Sequence, residues 1–338
     1  MEVGAVSVGY IITVLWVYLY CYLILASIDF GAGVYAYYSL KAKEEKSVAV
    51  LRLYLSPIWD VFHIILLVLI FLLTSFLPLI IEDYGEPLKI PALVVIALII
   101  LRTALIVFKR KRIGTNKPIT FIYGFSGLIV ALVLTSVLTL SEGGFLQITE
   151  SNVSLSPGLL LSSFYFWSVV ILAVVSVFYI SAMYFILFSY RTKNPEALER
   201  FRTYAMAWCV PTLLASVLVF VALQRHNPDH FNRMLDISWL FLLSLVSYLI
   251  AVSLVFYKRH YALAFFFVLC QFFFAFYGYG WSHLPYLLYP YIEIHPFNSF
   301  GIGAVIFILS FILSLGIPSL ILRVRRMTVS MKKKKSES

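Results

Sequence analysis

Nine apolar runs, each close to the length that crosses a bilayer as a helix, limit what this chain can fold into more than any other feature. About 20 helical residues cover the ~30 Å hydrocarbon layer. Runs of that order lie near residues 7–28, 57–81, 91–108, 119–140, 159–189, 205–223, 237–257, 262–282 and 300–322. They are continuous in Leu, Ile, Val and Phe, whereas the strands of a membrane barrel read as short alternating segments. Residues are 62% hydrophobic and 12% charged, against roughly 25% charged in an ordinary soluble domain, and no soluble core would absorb that much apolar surface. The expectation is an all-α integral membrane protein with about nine transmembrane helices.

Basic residues in the connections orient such a chain. Of the 26 lysines and arginines, 22 fall in connections that share one side or in the carboxyl-terminal tail. Lys89, Arg225 and Arg233 fall on the other side, and Arg102 lies within a span. This predicts an amino terminus outside and a cytoplasmic carboxyl terminus. The net charge of +10 then reports topology rather than nucleic-acid binding, with the Lys332–Lys335 run as a solvated stop-transfer tail or a contact for anionic lipid. The first run lacks a basic leader and is too long for a cleavable signal. The connections are short, so no soluble catalytic domain is inserted. Cys21, Cys209 and Cys270 lie inside apolar runs and form neither a disulfide framework nor a metal knuckle. The organisation expected is helices one to four in 1–140, helices five to eight in 141–283, an outer loop and helix nine in 284–322, and a basic tail in 323–338. That amounts to two four-helix bundles plus one peripheral helix, with no strict sequence repeat.

Ionisable residues inside apolar runs are costly and ask for a partner or a wet cavity. Asp29, Asp60, His63 and Arg102 are the ones composition does not explain. With the orientation above, Asp29 comes late in helix one, Asp60 early in helix two, and Arg102 about 10 Å or less from the end of helix three, which puts all three in the cytoplasmic half. His63 is one turn deeper than Asp60 on the same face. One reading makes Asp29, Asp60 and His63 a proton path from the cytoplasm. The other makes Asp29 and Arg102 a structural ion pair and Asp60 a first-turn carboxylate in SPIWD, favoured by the helix dipole behind Ser56 and Pro57. The remaining histidines map to connections or span edges, so neither haem ligands nor a metal site is expected in this chain. Phosphate-binding loops and nucleophile elbows are absent, and no catalytic residue is assigned. The aromatic stretch from Tyr261 to Tyr291 suits a membrane-surface belt, with a lipid or quinone pocket as the alternative.

Four segments, IDFGAG at 28–33, SPIWD at 56–60, LRTALIVFKR at 101–110 and WSHLPYLLYP at 281–290, together resemble subunit II of the cytochrome bd-type quinol oxidases, in order, spacing and helix number. Ala26, Val61, Phe62 and Val107 stand where that family usually carries acidic or polar residues, so the chain resembles a diverged branch. The resemblance implies a haem-free subunit in a bacterial or archaeal cytoplasmic membrane. Its partner would be a subunit I that holds haems b and d, oxidises quinol and reduces oxygen to water, with a small single-helix subunit as a further candidate partner. It also implies that Asp29 and Asp60 line a cytoplasmic proton route.

Two rivals stand beside that reading. One is a purely structural assembly subunit. The other is a small ion- or proton-coupled transporter, which would show helices broken by glycine or proline near the midplane; Gly124 and Gly127 are the nearest approach to such a signal. The asymmetry of basic residues makes a direct prediction: a reporter fused after Lys111 reads as cytoplasmic and one inserted near Ser151 as external, by protease or thiol-label accessibility in intact cells. The reverse pattern would overturn the orientation.

Overall fold

The computed structural model describes residues 2–55, 70, 78–109, 112–149 and 152–293. Ten helices order along the chain as α1 (Glu2–Lys41), α2 (Glu45–Leu55), α3 (Pro78–Lys109), α4 (Lys117–Leu140), α5 (Pro157–Ser162), α6 (Phe164–Arg191), α7 (Pro195–His226), α8 (Pro228–Asp236), α9 (Ser238–Phe256) and α10 (Tyr261–His283). Among the described residues, seven helical stretches are long and apolar enough to cross a membrane, one each in α1, α3, α4, α6, α7, α9 and α10. The expected spans at 57–81 and 300–322 lie wholly or mostly outside the described residues, as do Asp60, His63 and the basic tail.

Several boundaries differ from the sequence expectation, for reasons of local chemistry. The first helix continues past residue 28 to Lys41, because no breaker follows IDFGAG and both its glycines pack within the helix bundle. Residues 78–90, expected as the end of helix two and an outer connection, instead form the start of α3, with Pro87 and Pro91 inside the helix. The run 159–189 is split at Ser163, whose side chain caps α6 by accepting from the Phe166 amide at 3.3 Å. The chain before it folds as a hairpin of β1 (Leu146–Thr149) and β2 (Asn152–Leu155), antiparallel with Leu146 opposite Leu155, followed by the short α5.

Helix starts and stops follow a repeated chemistry. Asn116, Asn194 and Asn227 cap α4, α7 and α8 by accepting from the amides of Ile119, Ala197 and His230, and a proline with no N–H to satisfy stands in the first two positions of each. At the other ends, α1, α6 and α9 stop with Lys43, Lys193 and Lys258 in the left-handed region, at φ 58°, 55° and 57°. The amide beyond each lysine reaches back five residues, Glu44 to Ser39 O and Asn194 to Ser189 O among them, satisfying carbonyls the helix leaves open. The α1–α2 and α6–α7 turns are therefore alike, a local repeat in a chain with no strict sequence repeat. All three lysines sit where the negative end of the helix dipole meets solvent.

The packing centres on α1 and α6, whose most apolar windows are 61% and 72% buried against 17% for α3. α1 packs on α4 and α6, α3 on α4, α6 on α7, and α9 on α10. Water does not drive such helices together inside a bilayer, so close backbone approach and interhelical hydrogen bonds matter most. Gly31 faces Ser181 of α6, where an added Cβ would lie 2.0 Å from the hydroxyl. Gly33 and Gly124 touch directly: a Cβ on Gly124 would stand 2.7 Å from the Gly33 carbonyl carbon. Tyr35 donates to Phe178 O at 2.9 Å, Trp16 to Phe276 O at 2.8 Å and Tyr20 to Leu269 O at 2.7 Å, so α1 is bonded to both α6 and α10. Gly124→Val is expected to destabilise the protein by at least the ~1–3 kcal/mol typical of overpacking, because the opposing atoms are backbone. Gly158→Ala, at a position with open space around it, serves as the neutral control. Both are read as melting temperature in detergent.

Candidate functional site

One end of the bundle gathers Lys41, Lys109 and Lys117 at the termini of α1, α3 and α4. About two turns in from that basic end, roughly 10 Å along α3 and 9 Å along α4, lies a buried charge cluster. Asp29 of α1 and Arg102 of α3 form an ion pair, with the arginine side chain fully buried and the aspartate side chain 3% exposed. Tyr123 of α4 donates to Asp29 Oδ1 at 3.0 Å. Arg102 donates through Nη1 to the Tyr123 carbonyl and lies 3.5 Å from Ser126 Oγ. Its guanidinium is flanked by the rings of Tyr123, 4.1 Å from the centroid, and Phe30, at 5.1 Å, which supply a cation–π contact on surfaces that water would otherwise occupy.

Gly127 makes room for this arrangement, since a Cβ there would sit 2.5 Å from Arg102 Nη1 and 2.8 Å from the Phe30 ring. The continuous α4 helix and the filled space at Gly124 and Gly127 replace the broken helix that a transporter site would need. IDFGAG and LRTALIVFKR, far apart in sequence, thus meet through their one charged pair. Asp60 and His63 lie outside the described residues.

A second polar cluster, at the opposite end, was not legible along the chain. Glu142 follows the last turn of α4, His230 stands on α8, and Tyr279, Ser282 and His283 close α10. His230 Nδ1 lies 2.9 and 3.0 Å from the two Glu142 oxygens, Asn227 donates to Oε2 at 2.9 Å, and Tyr279 hydrogen-bonds Oε1. His283 Nδ1 stands 3.3 Å from the same Oε1 but without hydrogen-bond alignment, and neither of its ring nitrogens has a hydrogen-bond partner among the described residues. Arg233 closes the cluster by donating to Ser282 O at 2.7 Å. Burial alone would raise the Glu142 carboxyl, but the two histidines beside it, His230 and His283, outweigh burial and hold the group well below its ordinary value.

The segments around this cluster lock together. The strands Tyr286–Leu288 and Ile292–Glu293, β3 and β4, form a small hairpin, and the Tyr289 amide donates to Ser141 O at 2.8 Å. Gly143, at φ 75°, lets the Tyr289 carbonyl approach, since a Cβ would meet it at 2.1 Å. The one legible signal for this cluster was an acid immediately past a span end; its histidine partners come from two other connections.

Removing one member of a buried ion pair strands the other and typically costs about 3–5 kcal/mol. Arg102→Met is therefore expected to lower thermal stability strongly, Asp29→Asn less so, and the double variant to recover much of the Arg102→Met loss. Strict additivity of the two effects in detergent melts would show that the pair is not coupled.

Three comparisons bear on the whole chain. A sequence model of the family described as cytochrome bd terminal oxidase subunit II matches residues 9–325. A protein of Bacillus subtilis (strain 168), a putative cytochrome bd menaquinol oxidase subunit II, is 27% identical over 292 residues, 84% of each chain. The structure of bd oxidase from Geobacillus thermodenitrificans contains a chain that superposes with a TM-score of 0.78 at 33% identity, covering 97% of this chain and 99% of that one. The chain belongs to the cytochrome bd terminal oxidase subunit II family, and it is a multi-pass membrane subunit of a quinol oxidase.

Proposed function

We propose that this chain is the haem-free subunit of its oxidase, anchoring the haem-bearing subunit I and lending it a proton path from the cytoplasm. The observation that carries this reading is the Asp29–Arg102–Tyr123 cluster, which ties the two described motifs of the first helices into one rigid, charge-neutral unit. Of the two roles open to Asp29, its contacts favour the ion pair, so the titrating part of the path falls to Asp60 and His63. Asp60 heads the expected second span, where unpaired backbone N–H groups favour negative charge and hold water. The chain crosses the membrane nine times with its amino terminus outside, which places Asp60 on the proton-supplying side.

Support for the haem-free part comes from where the described histidines stand. His226, His230 and His283 sit at the end opposite the lysines, and His260 in a turn at the basic end. The exposed apolar face of α3, with Ile90, Leu93, Ile96 and Ile100, suits a lipid or subunit contact. A relative named for menaquinol supports the same class of quinol here.

The test is purification through a tag on this chain, followed by an absorption spectrum and oxygen consumption. Haem bands are expected from a co-purifying subunit I, and a colourless, stable, lone protein would overturn the reading. In that preparation Asp60→Asn, which keeps the shape and much of the hydrogen bonding but not the titratable group, is expected to slow turnover per haem d several-fold, with assembly and haem content retained. Unchanged turnover across neutral and alkaline pH would remove Asp60 from the path.

A further inference from the structure

We propose that Glu142, His230 and His283 form a binding site for a divalent transition cation, zinc first, that clamps the ends of α4, α8 and α10 together. One ligand atom from each residue lies within 4.8 Å of the others, and all three residues are buried. Two imidazoles and a carboxylate are a donor set that zinc uses, with a position left open for water.

The surroundings of His230 set its tautomer. Its Nε2 faces Ser282 Oγ at 2.8 Å and Tyr279 O at 3.2 Å. A carbonyl only accepts, and the single Ser282 hydroxyl hydrogen is already directed at Gly278 O or Tyr279 O, each 2.9 Å away. The proton of the ring therefore sits on Nε2, which leaves the Nδ1 lone pair pointing at a carboxylate. Two lone-pair-bearing atoms 2.9 Å apart repel unless a cation lies between them. That cation is either a second proton on the imidazole or a metal ion. A ligating histidine that gives its other N–H to a carbonyl or hydroxyl is the usual supporting arrangement of a metal site.

His283 decides between the two. A proton on His230 would satisfy that ring and Glu142 but would leave His283 with no function, its side chain 8% exposed and both nitrogens without hydrogen bonds among the described residues. Its Nδ1 stands 3.3 Å from Glu142 Oε1. Ligands at the usual zinc distances in a tetrahedral array lie roughly 3.3–3.4 Å apart, so His283 already stands at ligand spacing and His230 needs to move by only a few tenths of an ångström. Glu142 is held for the purpose by Asn227 and Tyr279, and Tyr279 stacks on the His283 ring at 6.3 Å with 8° between the planes.

The experiment uses the detergent-purified protein with its co-purifying subunits, stripped with a chelator, desalted and titrated with Zn2+. Bound zinc is counted by mass spectrometry per copy of this chain, alongside the melting temperature. The parent is expected to hold one equivalent more than His283→Gln or Glu142→Gln and to gain thermal stability with zinc that His283→Gln does not gain. Ser282→Ala, which removes the support of His230, is expected to weaken the site by roughly 10- to 100-fold. If Glu142→Gln fails to assemble, His283→Gln alone decides, since its nitrogens bond nothing among the described residues. Equal zinc in the parent and His283→Gln would overturn the proposal and leave the cluster as an imidazolium–carboxylate pair.

Discussion

The Asp29–Arg102 ion pair is the interaction on which the basic half of the bundle depends. In hydrocarbon neither charge is tolerable alone, so α1 and α3 are bound to a fixed register through it. The pair does not suffice by itself, because a buried guanidinium needs its remaining donors and faces satisfied. Tyr123 provides three of these services: a hydroxyl to the aspartate, a carbonyl to the arginine and a ring beneath the cation. The glycines of α1 and α4 follow from that demand. Gly127 leaves room for the guanidinium, and the Gly33–Gly124 contact brings α4 near enough for Tyr123 to reach both charges.

The opposite end solves the same problem with different materials. There the buried carboxylate is Glu142, and its neutralising partners come from a short helix and the end of a long one rather than from two spans. The Tyr289–Ser141 hydrogen bond ties the β3–β4 hairpin to the residue before Glu142, and groups that would be solvated on an ordinary loop are buried. The bundle is thus closed by a polar cluster at each end, one between spans and one between connections, with apolar helix contacts in between.

Lysine has two uses in the turns at the basic end. It supplies the charge that orients a membrane chain, and at positions 43, 193 and 258 it occupies the left-handed backbone position that ends a helix. Glycine fits that position with less strain, but glycine carries no charge for the helix dipole. The same turn closing α1 and α6 relates the two halves of the chain more directly than the bare sequence does.

Class and membrane insertion were readable from the chain because they depend on a quantity summed over many residues, apolar run length; the sidedness of basic residues supplies the orientation only as an expectation. Asp29 and Arg102 were also visible, since an ionisable group in an apolar run is conspicuous wherever it ends up. Helix ends were less legible. Nothing in residues 29–41 says whether a helix that has crossed the bilayer continues into water, and the start of α3 at Pro78 sets aside an apparent loop because proline is tolerated in a helix whose neighbours re-satisfy the freed groups. Tyr123 and the Glu142 cluster were decided by tertiary structure alone. A tyrosine in a span and a histidine in a connection are unremarkable singly. They acquire a role only when the packing of α1, α4, α8 and α10 brings them within about 3 Å of a buried carboxylate, and that distance depends on backbone approach, which no local pattern encodes.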